Sequence, residues 1–196
     1  MTMKIKCLNL RYWLLAVVLP LAIISCQKND ADPCDKTVCL NGGHCANGEC
    51  VCPEGYGGAD CSQPITPKKI KISRIEVTKF PATDNNGAGW DPTSGADIYL
   101  QLLKGDASIW KSSATYNYQN ATSSQVYAFD TTPSVDLTDA EDQYTIILYD
   151  YDDFDADDFI GGIIFTPYSK AKGFPSVLTL DAGGTVAFKL HVSYTW

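Results

Sequence analysis

Six cysteines crowded into 28 residues constrain this chain more than any other feature of its sequence. They lie between residues 34 and 61, and the 135 residues that follow contain no cysteine. A segment this short buries too little apolar surface to fold by itself, so it needs cross-links. Zinc sites favour Cys-x-x-Cys pairs, and the segment has none. We therefore predict a disulfide framework, which six cysteines can form in 15 ways.

The spacing of these cysteines, Cys-x4-Cys-x5-Cys-x4-Cys-x-Cys-x8-Cys, resembles the EGF-like module. The segments Cys39-Leu-Asn-Gly-Gly-His-Cys45 and Cys50-Val-Cys52-Pro-Glu-Gly55-Tyr56 carry the same resemblance. It covers residues 34–61. It implies one pairing out of the 15, which joins Cys34 to Cys45, Cys39 to Cys50, and Cys52 to Cys61.

Some members of that family bind calcium through acidic residues just before the first cysteine. Asp30 and Asp32 lie near this position, but Pro33 stands where the family has Glu or Gln. The segment 46–49 is also too short to complete the pattern. We therefore expect the module to act as a rigid spacer or a protein contact.

The first 25 residues have the pattern of a secretory signal peptide. Lys4, Lys6 and Arg11 precede an apolar run over residues 13–24, and the small Ser25 follows it. A transmembrane helix is the alternative, but it needs about 20 apolar residues. The run is shorter than that. We therefore predict an exported protein.

The tetrapeptide Ile23-Ile24-Ser25-Cys26 resembles the bacterial lipobox. This resemblance implies that Cys26 becomes the acylated first residue, carrying palmitate-type chains, and that residues 26–33 form a tether. Cleavage that leaves Cys26 free is the alternative, but it would expose a reactive thiol. Lys28, Asp30 and Asp32 resemble the charged tails of surface lipoproteins. We expect an outer-membrane lipoprotein of the bacterial cell envelope, facing the cell surface.

The charge of the chain argues against a nucleic-acid partner. The predicted signal peptide carries three of the 15 basic residues and none of the 23 acidic ones, so the remainder has a net charge of −11. Phosphate binding needs Lys and Arg gathered on one face. The partners that stay open are proteins, glycans and lipids.

The sequence after the cysteines favours an all-β domain. Residues 62–69 form a linker stiffened by Pro64 and Pro67. The rest is rich in β-branched and aromatic runs bounded by turn residues. We predict about eight short strands in a β-sandwich over residues 70–196, with one helical turn near 138–142. The strand segments that we predict individually are 70–80, 98–103, 124–129, 144–149, 160–165 and 186–194.

Six carboxylates occupy nine residues between Asp150 and Asp158. A solvated loop is the ordinary interpretation of such a run. This run, however, directly follows an apolar strand, and Asp150 and Asp152 are two residues apart, so that an extended backbone turns them to the same side. Carboxylates about 5 Å apart repel each other by several kcal/mol unless a cation neutralises them. Flexible oxygen ligands suit Ca²⁺ better than zinc or copper.

A second acidic pair, Asp91 and Asp97, leads into the strand that contains Tyr99. Here the domain resembles the C2 domain, which has an Asp-x5-Asp loop before a strand that starts Asp-x-Tyr. It also has a later Asp-x-Asp-x5-Asp loop followed by an aliphatic pair and Gly. The resemblance covers residues 68–196 and implies an eight-stranded antiparallel sandwich with both loops at one end. It implies the calcium ligands Asp91, Asp97, Asp150, Asp152 and Asp158, with Asp155 as a sixth candidate.

Two aromatic residues near these loops are candidate contacts with a partner. Phe154 and Trp90 could insert into a bilayer, although the alternative for Trp90 is a buried anchor beneath the loops. The tip positions 153, 156 and 157 are Asp, Ala and Asp, whereas lipid-binding relatives carry basic residues there. Anionic lipid attracts basic surface, and the surface near these loops is poor in basic residues.

Three functions can be weighed on these residues. The first is a calcium-dependent binding or adhesion module on a tether. The second is a structural surface protein whose loops calcium stiffens. Catalysis is the third, and we do not expect it, because His44 and His191 lie in no nucleophile motif and no phosphate-binding loop occurs.

Overall fold

The computed structural model describes residues 32–154 and 156–196. The predicted signal peptide, the tether up to residue 31 with Cys26, and Asp155 lie outside the described residues. The described part of the chain folds into strands and turns, which confirms the prediction of an all-β protein. No helix long and apolar enough to cross a membrane occurs among these residues.

The cysteine-rich module consists of two small hairpins held by three disulfides. Strand β1 (His44–Ala46) pairs with β2 (Glu49–Val51), and β3 (Tyr56–Gly57) pairs with β4 (Gln63–Pro64). The disulfides join Cys34 to Cys45, Cys39 to Cys50, and Cys52 to Cys61. This is the pairing that the resemblance to the EGF-like module implies.

The remaining nine strands form two antiparallel sheets. The strands are β5 (Lys69–Lys79), β6 (Ala96–Lys104), β7 (Ala107–Lys111), β8 (Tyr118–Ala121), β9 (Tyr127–Leu137), β10 (Tyr144–Asp150), β11 (Asp158–Phe165), β12 (Val177–Leu180) and β13 (Ala187–Thr195). One sheet has the order β11-β10-β6-β7, and the other has the order β12-β13-β5-β9. Strand β8 also pairs with β6, so β7 and β8 share one edge position. Counted by position, the sandwich has eight strands, as predicted.

The core lies between the two sheets and follows from the alternation of apolar residues. In β10 every second side chain is buried, starting at Tyr144 and ending at Asp150. In β5 both Ile72 and Ile75 are buried although they are three residues apart. A β-bulge between Ile72 and Arg74 adds the extra residue that keeps both on the inner face.

The predicted strand at 124–129 is displaced towards the C-terminus. The amide of Gln125 donates to the carbonyl of Thr122 (3.2 Å), which makes a turn there, and β9 runs from Tyr127 to Leu137. The turn predicted near 138–142 is present, closed by the amide of Asp142 and the carbonyl of Asp139 (3.2 Å).

The strand directions give the sandwich two different ends. Strand β5 begins at one end, where β13 also finishes, and the cysteine-rich module joins the sandwich there. We call this the module end. The opposite end carries the loops 80–95, 151–157 and 181–186, and we call it the loop end. Both predicted acidic loops lie at the loop end.

Residues 62–69 hold the module firmly against the module end. Strand β4 belongs to the module, Pro67 is buried, and the amide of Lys68 donates to the carbonyl of Thr195 (2.8 Å). The indole of Trp196 donates to the carbonyl of Ile65 (3.0 Å). A Cβ on Gly55 would lie 2.6 Å from the Trp196 ring, so only glycine allows this approach.

Candidate metal centre at the loop end

Two hydrogen bonds connect the acidic loops. One joins the backbones of the two loops, and the other joins the backbone of one loop to the carboxylate of Asp150. Asp150 is the last residue of β10, and its register partner in the neighbouring β6 is Ile98. The amide of Asp97 donates to Oδ1 of Asp150, and the amide of Tyr151 donates to the carbonyl of Asp97 (2.9 Å). These bonds fix the position of Asp150 relative to the start of β6.

Asp150 is a fully buried carboxylate with one oxygen that the protein does not satisfy. It ends the inward row of β10, and its exposed fraction is 0%. Its Oδ2 has no hydrogen-bond partner among the described residues. The pKa of Asp150 is raised to about 7, mainly by burial; the charges of Asp91, Asp152 and Asp97 contribute to the rise, and the bond from the Asp97 amide opposes it.

Three other predicted ligands surround this buried group. Asp91, Asp97 and Asp152 all lie close enough to act on the titration of Asp150. Oδ2 of Asp91 accepts from the hydroxyl of Ser94 (2.9 Å), and Oδ1 of Asp97 accepts from the amide of Asn120 (2.8 Å). Asp150 and these three predicted ligands therefore lie near enough to interact electrostatically.

The other two predicted ligands are less fully placed. Asp158 opens β11 directly opposite Asp150 in the register, and its side chain is exposed. Asp155 lies outside the described residues. In the described part of the chain, no three acidic, His or Cys side chains are already arranged to chelate one ion. Asp91, Asp97 and Asp152 would have to turn towards Asp150 to share a cation with it.

Asp157 has a role that the sequence analysis missed, because this residue matches none of the implied calcium ligands. The hydroxyl of Tyr99 donates to Oδ2 of Asp157 (2.6 Å), and the amide of Asp152 donates to its Oδ1 (3.4 Å). Tyr99 is itself stacked on Tyr149, with the ring centroids 5.2 Å apart. Asp157 thus attaches the acidic loop to the strand that carries Asp97. The available signal in the sequence was the Asp97-x-Tyr99 motif, whose strand adjoins the acidic loop in the fold.

The two candidate contact residues have different environments. Phe154 is 98% exposed at the tip of the acidic loop. Trp90 is half-buried against the core, and its indole N–H donates to the carbonyl of Pro81 (2.8 Å). Trp90 therefore supports the loop 80–95, whereas Phe154 is free to contact a partner.

The chemistry of the donor set fits a hard cation. The gathered groups are all carboxylates, the described cysteines are all in disulfides, and His191 lies on β13 with its Nε2 3.0 Å from Oε1 of Glu76. Zinc and copper sites use nitrogen or sulfur ligands, which this end lacks among the described residues. Calcium takes six to eight oxygen ligands in flexible geometry, so the residues present fit Ca²⁺.

Comparisons with known proteins gave matches to part of the chain only. No protein-family model matches it. Mouse vasorin is 42% identical over 53 residues, which cover 24% of this chain and 8% of vasorin. A solved structure described as a C2 domain covers 64% of this chain and 97% of its own, with 16% identity and a TM-score of 0.42. A structure of two C2 domains from Extended-Synaptotagmin 2 gives 22% identity and a TM-score of 0.36, covering 68% of this chain and 42% of that one.

Proposed function

We propose that the loop end binds Ca²⁺ and that calcium there controls the binding of a partner. The observation that carries this proposal is Oδ2 of the fully buried Asp150, which has no hydrogen-bond partner among the described residues and is influenced by the charges of Asp91, Asp97 and Asp152. A charged group buried in this way is unfavourable unless it is paired or coordinates a metal. These four residues would hold the ion, with Asp158 and Asp155 as further ligands. Bound Ca²⁺ supplies positive charge and open coordination positions for oxygen atoms of a partner.

Isothermal titration of the full chain in detergent with CaCl₂ tests the metal site. We expect a dissociation constant of about 10⁻⁴–10⁻³ M, as in other extracellular calcium modules. Asp150→Asn should abolish the heat of binding, whereas Asp130→Asn, an exposed residue on β9, should leave it unchanged. Equal heats in the wild type and Asp150→Asn would contradict the proposal.

We propose a lipid anchor at Cys26 as the attachment of this module to the bacterial outer membrane. The support is the lipobox-like sequence, together with the position of the module and the loops. The cysteine-rich module joins the end of the sandwich opposite the acidic loops, so the chain runs from Cys26 through the module and the sandwich to the loops. A spacer in that place would hold the loops away from the membrane that carries the anchor.

Labelling of cells with radioactive palmitate tests the anchor. The wild-type chain should become labelled and stay in the membrane fraction, and Cys26→Ser should lose both properties. Label that persists in Cys26→Ser would contradict this attachment.

Calcium-dependent binding to phospholipid is a second candidate, and the exposure of Phe154 favours it. A 98% exposed phenylalanine at a loop tip is available for insertion into a bilayer. The exposed acidic neighbour Asp153 opposes attraction to anionic lipid. Sedimentation with phosphatidylcholine–phosphatidylserine vesicles, with Ca²⁺ and with EGTA, decides between the two. Binding that requires both Ca²⁺ and Phe154 would establish the lipid function.

A further inference from the structure

A cavity of about 410 Å³ lies at the loop end, beside the acidic residues and separate from them. It is enclosed by the loop 80–95, by the first half of β11 and by Thr185 of the loop 181–186. Its size falls in the lower part of the range of ligand pockets, which runs from about 300 to 1,000 Å³. The predicted calcium ligands are not among the described residues that line it.

Two fixed aromatic rings form the apolar part of this cavity. Trp90 is held by its bond to the carbonyl of Pro81, and its ring packs against the core. Phe159 packs edge-on against Tyr149, with the ring centroids 6.1 Å apart, and stays 60% exposed. An exposed aromatic ring that is fixed in place offers an apolar surface to a ligand at little cost in conformational entropy.

Three polar side chains with unused hydrogen-bonding capacity complete the cavity. Thr83, Asn85 and Thr185 line it and are exposed, and within the described residues none of their side chains forms a hydrogen bond. Asn85 lies in a small hairpin that a bridge between Thr83 and Gly89 closes. The two hydroxyls and the amide can each donate and accept hydrogen bonds.

The charges around the cavity limit the class of ligand. Asp84 is the one charged residue among its described lining residues. Its Oδ1 accepts from the amides of Asn86 and Ala88, both at 2.8 Å, and these bonds hold its pKa below the usual value, mainly through Ala88. Asp84 is thus an anion whose carboxylate is already hydrogen-bonded within its own turn. A phosphate or carboxylate ligand would meet this negative charge without a Lys or Arg among the described lining residues to balance it, and a cation would find a carboxylate that is already hydrogen-bonded.

We infer that this cavity binds a neutral sugar residue of a glycan. A sugar has one face of C–H groups, which packs on aromatic rings such as Trp90 and Phe159. It also has hydroxyls that match the hydroxyls of Thr83 and Thr185 and the amide of Asn85. The inference names a ligand class for the proposed binding function and rests on that function for the role of calcium, because Trp90 and Asp91 share one loop.

A glycan array of neutral oligosaccharides, probed with the detergent-purified full chain in CaCl₂ and in EGTA, tests this inference. The wild type should retain at least one neutral glycan. Asn85→Ala and Phe159→Ala should each weaken that binding at least tenfold. Both residues are exposed, so these variants should keep the wild-type melting temperature and the wild-type calcium titration. Ile164→Ala is the matched control, since it removes an exposed apolar side chain from the same strand, outside the lining of the cavity, and should leave glycan binding unchanged.

The outcomes separate this inference from the calcium proposal. A wild-type chain that binds Ca²⁺ and no neutral glycan would overturn the sugar pocket alone. Glycan binding that survives in Asn85→Ala and Phe159→Ala would also overturn it. Vesicle binding that depends on these two residues would assign the cavity to lipid instead. Glycan binding that is equal in CaCl₂ and in EGTA, by a chain that gives no heat with CaCl₂, would support the pocket and contradict the calcium proposal.

Discussion

The two ends of the sandwich are built on opposite principles. At the module end, Phe174 lies at the centre of an aromatic cluster that joins the sandwich to the cysteine-rich module. Its ring centroid is 5.4 Å from Tyr56, 5.5 Å from both Tyr168 and Tyr194, and 5.0 Å from Trp196. At the loop end, several carboxylates lie near the buried carboxylate of Asp150. One end is completed by contacts within the chain, and the other is suited to an external ion.

Each end contains one buried oxygen without a partner, and the comparison depends on their charges. Within the part of the chain that the structure describes, the hydroxyl of Tyr168 has no hydrogen-bond partner at the module end, and Oδ2 of Asp150 has none at the loop end. Burying a neutral hydroxyl without a hydrogen bond costs about 1–3 kcal/mol. Burying a carboxylate costs more, so its pKa rises unless a cation binds. The difference between the ends is therefore one of charge: the proposed binding site is marked by a buried carboxylate that the described residues do not neutralise.

The largest effect is expected from pH in the absence of calcium. The pKa of Asp150 is raised from 3.8 to about 7 in the fold, mainly by burial. The stability that belongs to its protonated form is complete below about 3.8 and is lost as the pH rises to about 7. In EGTA, Asp150→Asn should therefore match the wild type near pH 4 and be more stable above pH 7, by at most about 4 kcal/mol.

Urea unfolding of both proteins across this pH range measures the difference. Calcium should narrow the difference at high pH, because only the wild type gains free energy from the ion. A wild type that is as stable as Asp150→Asn at pH 8 in EGTA would show that the buried charge is already neutralised by the protein. That result would contradict the claim that the loop end, unlike the module end, contains a buried charge that the protein does not neutralise.

The next largest effect is expected at the module end. Phe174→Ala removes the centre of the aromatic cluster and should lower the free energy of unfolding by about 3 kcal/mol, at the low end for phenylalanine because the side chain is half-buried. The calcium affinity should not change, since the loops lie at the other end. Phe154→Ala is the matched control and should change stability by less than about 0.5 kcal/mol. Thermal unfolding and calcium titration of both variants measure this. A large loss of calcium affinity in Phe174→Ala would mean that the ends are coupled.

The module end was the harder end to predict from the sequence. The cysteine spacing implied the disulfides, and apolar alternation indicated most strands. No pattern in the sequence, however, predicts that Gly55, Phe174 and Trp196 lie together, because their contact depends on how the cysteine-rich module packs on the sandwich. The interruption between β7 and β8 and the bulge in β5 also depend on tertiary pairing. Residues 63–64, placed in the linker by sequence, pair inside the module instead.

The loop end was easier to predict in outline than in detail. The paired Asp loops indicated where the candidate metal centre lies, because one loop follows a buried strand and the other precedes one, each at a fixed spacing. Their individual roles are set by burial, which the sequence does not show. Asp150 is buried because it continues the inward row of β10, whereas Asp158, opposite it in the register, is exposed. The cavity between Trp90 and Phe159 was not foreseen, because its walls come from three separate loops and strands.

A smaller effect should come from the attachment of the acidic loop. Tyr99→Phe removes the hydrogen bond to Asp157 and leaves the stacking on Tyr149 in place. We expect a loss of about 1 kcal/mol in the free energy of unfolding. Calcium affinity should fall by a few-fold, because Asp152 is less well positioned. Scanning calorimetry measures the stability, and isothermal titration with CaCl₂ measures the calcium affinity. Unchanged stability together with unchanged affinity would show that Asp157 does not attach the acidic loop.

Hydrogen exchange of the full chain with and without Ca²⁺ tests the contrast between the two ends most directly. Calcium should slow exchange in residues 80–97 and 148–160, which carry the acidic loops, because it holds carboxylates that otherwise repel each other. Residues 166–176 and the cysteine-rich module, already completed by internal contacts, should exchange at the same rate in both conditions. Protection that appears at the module end, or none at the loop end, would contradict the account.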